Sequence, residues 1–397
     1  MNLIKFNEQL KQQCLEGWRI VAFGDIVTYS QYGLSVATSN NGNVPMLGMS
    51  CLKNGKVSYD NLAFVTLGNE EFQKFRLNAG DILINRTNSL ELVGKTALVE
   101  QDQNVVFASY VVRFLVDPKQ ANPLYIVYYF NKKDSQTRLT ALATQGVSQA
   151  NINPEVLKKL FFLHLPSLDQ QIAIANLLST WDVAIEKIER LVTAQGKRLE
   201  WLLDLLMSPK DSKEKWRKVR LGNVVQIIKG RQLNVANMTD DGKYYALNGG
   251  ISPSGYTNSW NTSENTITIS EGGNSCGFVN FNTEKFWCGG HCYALKSLDN
   301  TVENLYLYYF LKLHEKSLML LRVGSGLPNI QKKDLLNFSI QYPSFDQQKQ
   351  IAALLNTAQQ EINLLKKQED ALCNQKRGLM QQLLTGKNHM ILKNNNH

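Results

Sequence analysis

The sequence contains few prolines, few cysteines and no long hydrophobic run. It has 9 prolines and 6 cysteines in 397 residues, and so low a cysteine content favours a reducing compartment over a disulfide-stabilised secreted protein. No apolar stretch approaches the roughly 18 residues of a membrane-spanning helix. The opening residues, MNLIKFNEQLKQQC, contain no apolar signal-peptide core. The sequence therefore predicts a cytoplasmic protein that has no membrane partner.

The composition is that of a folded protein with a basic surface. Hydrophobic residues make up 43% of the chain and charged residues 19%, which excludes an intrinsically disordered chain. The length is sufficient for the cores of two ordinary domains. The net charge of +9 favours an acidic partner such as nucleic acid, although charge alone is a weak indicator.

Four sequence landmarks occur twice, in the same order. GWRIVAFGDIV at 17–27 returns as KWRKVRLGNVV at 215–225, NPLYIVYYF at 122–130 as ENLYLYYF at 303–310, GVSQANINPEVLKKL at 146–160 as GSGLPNIQKKDLLNF at 324–338, and PSLDQQIAIANLL at 166–178 as PSFDQQKQIAALL at 343–355. The chain is therefore two copies of one unit. The stretches between the landmarks differ, so the framework is repeated while its contents are not.

The Pro-Ser-x-Asp-Gln-Gln phrase predicts the start of a long helix. Ser167 and Ser344 can act as N-caps, each with a glutamine three residues later, as in a capping box. Apolar residues then alternate at spacings of four and three, which is typical of a coiled-coil seam. The seam positions are Ile174, Leu178, Trp181, Ile185 and Ile188 in the first copy and Ile351, Leu355, Ile362 and Leu365 in the second. Ordinary core packing is the alternative, but two matched seams favour an intramolecular pair.

Taken together, the landmarks resemble those of the specificity subunit of a type I restriction-modification system, over essentially the full chain. The resemblance rests on the WR-V--G(D/N)-V entries at Trp18 and Trp216, the turns ending at Asn151-Ile152 and Asn329-Ile330, and the two PS-DQQ helix starts. It implies the α+β class, with two α/β target-recognition domains separated by two long antiparallel coiled-coil helices and related by an internal pseudo-twofold repeat.

The same resemblance sets the expected domain boundaries. Residues 1–165 form the first target-recognition domain, 166–208 the central helix, 209–342 the second target-recognition domain and 343–387 the C-terminal helix. The last ten residues, 388–397, are expected to be a disordered tail.

The resemblance also implies a function without catalysis. Each target-recognition domain is expected to read one half of a bipartite site on double-stranded DNA. The expected protein partners are two modification (methyltransferase) subunits and the restriction (motor and nuclease) subunits. S-adenosylmethionine, ATP and Mg²⁺ are expected on those partners, so no cofactor and no metal is predicted in this chain.

Three short motifs suggest catalysis or metal binding and are interpreted otherwise. NPLY at 122–125 is similar to the Asn-Pro-Pro-Tyr signature of adenine methyltransferases, but Leu124 replaces the second proline, so the motif is interpreted as a helix start with Pro123 in the first turn. VGKT at 93–96 lacks the first glycine of a P-loop, since Ser89 stands there. Cys288, His291 and Cys292 could nearly serve as zinc ligands, but the segment reads as one strand, and we interpret its cysteines as buried.

The candidate DNA-reading residues lie between the repeated landmarks. GDILINRTNSLELVGKTALVE reads as a strand, a polar loop and a strand. In the major groove, arginine pairs with guanine, asparagine with adenine, and glutamate accepts from cytosine. The candidates are Gln31, Tyr32, Asn85, Arg86, Thr87, Asn88 and Lys95 in the first copy, and Lys229, Arg231, Gln232, Ser270, Glu271 and Asn274 in the second. Each could equally be an ordinary solvated loop residue.

Two alternative functions stay open at the level of sequence. One is a specificity module that works with a type IIG/IIB-like methyltransferase. The other is a coiled-coil scaffold that binds protein and not DNA, which would give no sequence-specific shift in a gel-shift experiment.

Overall fold

The computed structural model describes residues 17–386, except for 40, 147–148, 209–215 and 325–327. The chain divides into two compact units. The first comprises residues 1–187 and 369–397, and the second comprises residues 188–368. Each unit therefore combines one copy of the repeat with the C-terminal part of a long helix that begins in the other copy. The predicted tail at 388–397 and the predicted boundary at 209 lie outside the described residues.

In its described residues, the first unit is a mixed β structure with five short α-helices. Its strands are β1 (Arg19–Ala22), β2 (Val27–Tyr32), β3 (Val44–Leu47), β4 (Leu52–Lys53), β5 (Lys56–Val57), β6 (Ala63–Val65), β7 (Ile82–Asn85), β8 (Thr87–Asn88), β9 (Thr96–Leu98), β10 (Val106–Phe107), β11 (Val111–Val116), β12 (Thr144–Gln145), β13 (Ala150–Asn151) and β14 (Phe162–Leu165). Its short helices are α1 (Phe23–Ile26), α2 (Asn69–Phe75), α3 (Pro123–Asn131), α4 (Lys133–Leu142) and α5 (Pro154–Leu160).

The main sheet of the first unit has the order β2-β11-β7-β9-β5-β4, and smaller sheets have the orders β10-β3-β6, β12-β13-β8 and β1-β14. Helix α3 covers the main sheet with side chains that are buried along almost its whole length, as is typical of a helix inside a core. Asn122 caps it by accepting from Tyr125 N at 2.9 Å, with Pro123 in the first turn. The interpretation of NPLY as a helix start is confirmed.

A long helix, α6 (Leu168–Leu206), follows, and the second unit repeats the pattern with fewer strands. Its strands are β15 (Arg217–Arg220), β16 (Gln226–Lys229), β17 (Tyr244–Leu247), β18 (Gly255–Thr257), β19 (Thr266–Ser270), β20 (Val279–Asn282), β21 (Trp287–Cys288), β22 (Cys292–Lys296) and β23 (Ser339–Tyr342). Its helices are α7 (Asn304–Leu313), α8 (Glu315–Met319) and α9 (Lys332–Asn337), and a second long helix, α10 (Phe345–Leu383), ends the described chain.

The sheets of the second unit match those of the first. The order β16-β22-β19-β20 corresponds to β2-β11-β7-β9, β18-β17-β21 corresponds to β6-β3-β10, and β15-β23 corresponds to β1-β14. Helix α7 takes the place of α3 and buries Tyr306, Leu307 and Phe310. The connection from β18 to β19 is shorter than the one from β6 to β7, which contains α2.

The repeated Pro-Ser-x-Asp-Gln-Gln phrase begins both long helices. Ser167 Oγ accepts from Gln170 N at 3.4 Å, so the predicted N-cap is confirmed in the first copy. The adjacent Gln171 has a second role, which the capping interpretation missed. It is fully buried; its Nε2 donates to Pro166 O at 2.9 Å and to Gln120 O at 3.1 Å, and its Oε1 accepts from Asn122 N at 2.9 Å.

The second copy makes the same contacts. Gln348 is fully buried; its Nε2 donates to Pro343 O at 3.0 Å and to Thr301 O at 2.9 Å, and its Oε1 accepts from Glu303 N at 2.8 Å. Each phrase therefore joins the start of a long helix to the residue that caps α3 or α7.

The predicted seam lies on the less exposed side of both long helices. Ile174, Leu178, Leu355 and Ile362 are buried, and Trp181, Ile185, Ile188, Ile351 and Leu365 are half-buried. In the first unit, Lys376 of α10 pairs with Asp182 of α6, which also accepts from the Tyr128 hydroxyl. In the second unit, Gln195 Nε2 donates to Glu361 Oε1 at 3.0 Å.

No helix among the residues described is both long enough and apolar enough to cross a membrane.

Candidate nucleic-acid interface

Both copies have an equivalent residue position at the end of a central strand of their main sheet. Val111 and Cys292 are the first residues of β11 and β22. Val111 lies opposite Asn85, and Cys292 lies opposite Ser270. Asn85 and Ser270 are therefore equivalent, and so are the residues that follow them.

The residues that follow are Arg86 and Glu271. The Ile152 amide donates to Arg86 O at 2.8 Å, and the Ile330 amide donates to Glu271 O at 2.8 Å. Both isoleucine side chains are buried. The Asn-Ile turn of each repeat thus holds the backbone of an equivalent residue, whose side chain differs completely between the copies.

Several predicted loop residues are instead parts of strands. Asn85 ends β7 and Ser270 ends β19, and both are buried. Asn85 Nδ2 donates to Met49 O at 2.9 Å, and Ser270 Oγ donates to Gly249 O. These two side chains therefore support the turns that follow β3 and β17, and the loop prediction is wrong for them.

The loop prediction is also wrong for Thr87 and Asn88. They form β8, which pairs with β13, and both are buried. They are buried because the Asn-Ile turn returns to this point and covers them. The exposed part of the connection is the tip at 89–92. Base contact by these residues stays a prediction.

A left-handed glycine ends the variable loop in each copy. Gly94 has φ 83° and Gly277 has φ 89°, a conformation that residues other than glycine rarely adopt. A Cβ on Gly277 would also lie 2.9 Å from Met319 Cα. The loops at 86–93 and 271–276 therefore leave and rejoin the framework at equivalent points, and their contents can vary between them.

Arg86 is held in place by neighbours on two sides. Its Nη2 donates to Asn151 Oδ1 at 2.8 Å, and its Nη1 donates to Ser109 O at 3.4 Å. The guanidinium carbon lies 5.1 Å from the centroid of the Tyr32 ring, and Tyr32 is 48% exposed. A guanidinium stacked on an exposed aromatic ring is preorganised for bidentate hydrogen bonding to a planar partner.

Glu271 forms the corresponding site in the second copy. Lys229 Nζ lies 2.6 Å from Glu271 Oε1, and His291 Nδ1 lies 3.8 Å from Oε2. The Tyr293 hydroxyl donates to Glu271 Oε1 at 3.0 Å. Burial and the neighbouring carboxylate together raise the pKa of Tyr293 to about 12. The tyrosine therefore stays a neutral donor that orients the carboxylate.

The partners of the two framework residues are equivalent as well. Tyr32 lies opposite Val112 in the β2–β11 pair, and Lys229 lies opposite Tyr293 in the β16–β22 pair. At these two equivalent positions, the first unit carries the aromatic Tyr32 and the cation Arg86, whereas the second carries the cation Lys229 and the anion Glu271. The two sites offer different hydrogen-bonding groups at the same place.

The remaining candidates are not brought to these sites in the same way. Arg231, Gln232 and Asn274 are exposed on the second unit. Lys95 is half-buried. Gln31 lies on the other face of β2, where it accepts from Arg113 and donates to Lys74 O at 3.3 Å. Asn151, Tyr293 and His291 were missed as site residues. The repeated Asn-Ile turn marked the position of Asn151, whereas Tyr293 resembles any strand tyrosine.

The sequence indicated a single strand through the cysteine-rich segment, and this prediction is wrong. β21 ends at Cys288 and β22 begins at Cys292, because Gly289 and Gly290 turn the chain between two sheets. A Cβ on Gly289 would lie 2.8 Å from Leu247 O. Cys288 and Cys292 are buried. Within the described part of the chain, no three His, Cys, Asp or Glu side chains are grouped so that they could hold a metal ion.

Comparison with known proteins gives the same family for both copies. The family model for the type I restriction modification DNA specificity domain matches residues 15–193 and again residues 213–374. A putative type I restriction enzyme MjaX specificity subunit from Methanocaldococcus jannaschii is 27% identical over 401 residues, covering 94% of each chain. The type I restriction enzyme EcoKI specificity subunit of Escherichia coli is 27% identical over 190 residues, which cover 47% of this chain and 40% of that protein.

Solved structures agree on the fold. The crystal structure of a type I restriction-modification system S subunit from M. genitalium aligns with a TM-score of 0.67 at 20% identity, and covers 92% of this chain and 96% of that one. The predicted α+β architecture, with two similar domains, two long antiparallel helices and an internal repeat, is confirmed.

Proposed function

The chain belongs to the specificity subunits of type I restriction enzymes, and we propose that each of its two units reads one half of a bipartite site on double-stranded DNA. The observation that carries this proposal is the framework position that is shared by Arg86 and Glu271. Two domains that recognise different base sequences need a constant backbone framework and a different side chain at the position that contacts the base.

The chemistry of each position suggests what it reads. Arg86, stacked on Tyr32, suits the two acceptors of guanine, whereas Glu271 suits the amino group of cytosine. Lys229 lies against the same carboxylate and can contact a guanine acceptor or a phosphate when DNA displaces it. The two half-sites are therefore expected to differ in sequence.

Partner subunits are proposed to dock on the long helices. Five large apolar side chains on α6 are exposed: Ile172, Val183, Leu191, Trp201 and Leu205. Trp201 is 60% exposed, and buried aromatic anchors dominate the energy of protein interfaces. Because a repeated unit offers a related surface twice, we expect two modification subunits for each specificity subunit, with restriction subunits joining the full complex.

Catalysis is assigned to those partners, which would bring S-adenosylmethionine, ATP and Mg²⁺. The observation that supports this assignment is the position of Asn122. In an adenine methyltransferase the equivalent asparagine would hold the target base. Here its side chain caps α3, and the neighbouring Tyr125 is fully buried. The complex would act on chromosomal and incoming DNA in the cytoplasm.

The experiment is reconstitution of the chain with its modification subunit. Sequencing of methylated adenines in a host that carries both should give one split motif. A gel shift should then show binding to that motif and not to a scrambled duplex, and native mass measurement should give one specificity subunit with two modification subunits. A complex without a sequence-specific shift would contradict the proposal and favour a scaffold.

A further inference from the structure

A basic cleft opens on the second unit, on the face of β16 opposite to the side chains of Lys229 and Glu271. It lies along the edge strand β16, with a volume of about 520 Å³, within the ~300–1,000 Å³ range of ligand sites. Lys229, Arg231 and Lys296 line it together with Trp260 and Ala294. Among the described residues that line the cleft, three are cationic and none is anionic. Because Lys229 is paired with Glu271, the unbalanced positive charge of the cleft comes from Arg231 and Lys296.

The first unit fills the same place with its own side chains. Arg113 lies opposite Gln31 on β2, and Ala294 lies opposite Ile228 on β16, so arginine and alanine are equivalent. Arg113 is 6% exposed. Its Nη1 donates to Arg76 O at 2.8 Å, and its Nη2 donates to Lys74 O at 3.1 Å. Helix α2 and the residue that follows it thus close over the guanidinium.

The first unit also supplies a buried counter-charge. Asp81 Oδ2 lies 3.3 Å from Arg113 Nη1. Asp81 immediately precedes Ile82, which lies opposite Phe114, and Thr266 immediately precedes Ile267, which lies opposite Leu295. Thr266 therefore stands where Asp81 would be. In its described residues the second unit lacks the arginine, the aspartate and the covering helix, and the space is left open.

We propose that this cleft binds a backbone phosphate of the DNA next to the half-site that the second unit reads. The inference rests on the proposed function. Arg231 and Lys296 supply the positive charge, and Lys229, whose side chain lies on the other face of β16, borders the cleft at the edge of the sheet. The backbone of Arg231 is held by its amide, which donates to Cys288 O at 2.9 Å. We assign DNA as the ligand because Lys229, at the edge of the sheet, borders the cleft and also pairs with the Glu271 carboxylate.

The exposed rim suits a polymeric anion. Trp260 is exposed, and Lys285 Nζ lies 4.8 Å from the centroid of its ring. This pair places a fourth cation and an aromatic surface at the mouth of the cleft. A basic groove with an aromatic wall is typical of nucleic-acid binding surfaces. The first unit carries no equivalent site among its described residues, because Arg113 occupies the space. The second unit alone should therefore make this phosphate contact.

The test uses the full chain in complex with its modification subunit, and duplexes that carry the site read from methylated adenines. The variants are Arg231→Gln and Lys296→Gln, with Lys333→Gln as a control that removes an exposed charge of the same unit outside the cleft. Each cleft variant should lower the slope of log affinity against log salt by about 0.9, because one phosphate is no longer neutralised. The methylated motif should be unchanged, and the control should keep the original slope.

A second measurement locates the phosphate. Single neutral methylphosphonates are placed along the duplex, and affinity is measured for the wild-type chain and for Lys296→Gln. One position should weaken binding by the wild type and leave the variant unaffected, and it should flank the second half-site. Ala294→Arg combined with Thr266→Asp, which fills the cleft with the ion pair found in the first unit, should behave like Lys296→Gln.

Three results would overturn the inference. They are unchanged salt slopes in both cleft variants, the absence of a position with the predicted non-additivity, and a sensitive phosphate beside the first half-site only. Binding of ATP or inorganic phosphate that Lys296→Gln abolishes, with DNA binding unaltered, would also overturn it. If the wild type binds no specific duplex, it is the proposed function that fails.

Discussion

Arg86 and Glu271 occupy one backbone position in two copies of a framework, and their side chains carry opposite charge. Both carbonyls accept from the isoleucine of an Asn-Ile turn, at 2.8 Å in each case. The repeated residues therefore fix where the side chain starts, and the variable residues decide what it offers. The side chain at such a position can change while the backbone contact to the buried isoleucine is kept.

Replacing Arg86 by alanine should weaken recognition of one half-site. If the guanidinium makes a bidentate contact with a base, the loss should be about 1–3 kcal/mol at one base pair. Recognition by the second unit should be unaffected, because its site is built from other residues. Equilibrium binding to duplexes with single substitutions in either half-site measures both effects.

Arg86→Lys is the matched comparison, since it keeps the charge and removes the planar fork. It should relax the same base pair while retaining more total affinity than the alanine variant. Relaxation of both half-sites together, or of neither, would contradict the assignment of this residue to base reading.

The residue types at the site could be predicted from the sequence, whereas their accessibility could not. Arg86 and Glu271 stood out as chemically suited to base edges. Asn85 and Thr87 stood out for the same reason, yet both are buried, and Glu271 itself is only 9% exposed. Thr87 is covered by the Asn-Ile turn, which returns from more than sixty residues later in the chain, and Asn85 lies against Val111 and Met49. Local polarity carries no information about such a distant contact.

At the level of elements, the second glutamine of each Pro-Ser-x-Asp-Gln-Gln phrase links two helices. Gln171 satisfies two carbonyls and the amide of Asn122, which is itself the N-cap of α3. Because the glutamine is fully buried, water cannot replace these bonds. The phrase is repeated since both units need the same link between a long helix and a buried helix.

Gln171→Leu should therefore destabilise the first unit by about 2–4 kcal/mol, because it leaves buried polar groups without partners. Gln170→Ala is the matched control. It alters the neighbouring half-buried residue of the same phrase and should cost less than about 0.5 kcal/mol. Denaturant unfolding of the two variants checks the difference; equal effects would show that the buried hydrogen bonds carry no special weight.

The contact between the long helices contains a charged pair where an apolar one would fit. Lys376 and Asp182 have side chains that are 13% and 15% exposed, and the Tyr128 hydroxyl donates to the aspartate. Burial and Asp182 raise the pKa of Tyr128 well above its usual range. Counted from the repeated phrase, Leu199 stands in the first copy where Lys376 stands in the second. The two ends of the helix pair are therefore chemically different.

Lys376→Leu should lower the free energy of unfolding by about 3 kcal/mol, because it leaves the Asp182 carboxylate buried without its cation. Adding Asp182→Asn should restore most of the loss, since it removes the unpaired buried charge and still accepts from the Tyr128 hydroxyl. The midpoints of denaturant unfolding for both single variants and the double variant form the test. A double variant as unstable as the sum of its singles would contradict this account.

The long helices illustrate what periodicity can and cannot predict. Their starts and their seams followed from caps and apolar spacing, because both signals are local. The partners of Lys376 and Gln195 did not follow, because each lies on a helix more than a hundred residues away. Gln195 and Lys376 continue the four-three spacing of the seam positions, and only the structure shows what these polar residues contact.

At the scale of the whole molecule, each compact unit is built from both halves of the chain. The first unit takes in residues 369–397, and the second unit takes in residues 188–368. Each long helix has 39 residues, or about 60 Å at 1.5 Å per residue. We expect a helix pair shared in this way to set the separation between the two DNA-recognition domains. The length of the helices would then determine the unread spacer in the DNA site.

Lengthening both helices by seven residues, at Gln195 in α6 and at Glu361 in α10, tests this idea. These residues contact each other at 3.0 Å, and a heptad in each helix preserves the seam. The added length is about 10 Å, or about three base pairs at 3.4 Å each. Three base pairs also turn the second half-site by roughly a third of a helical turn, so affinity should fall.

The expected product is a methylated site with both half-site sequences unchanged and a spacer longer by about three base pairs. Sequencing of methylated adenines in a host that carries the variant measures half-sites and spacer together. Insertion into α6 alone is the matched control. It should abolish methylation, because it displaces Gln195 from Glu361 and shifts one seam against the other. Retention of the original spacer at full activity, or altered half-site bases, would show that the helices do not set the distance between the readers.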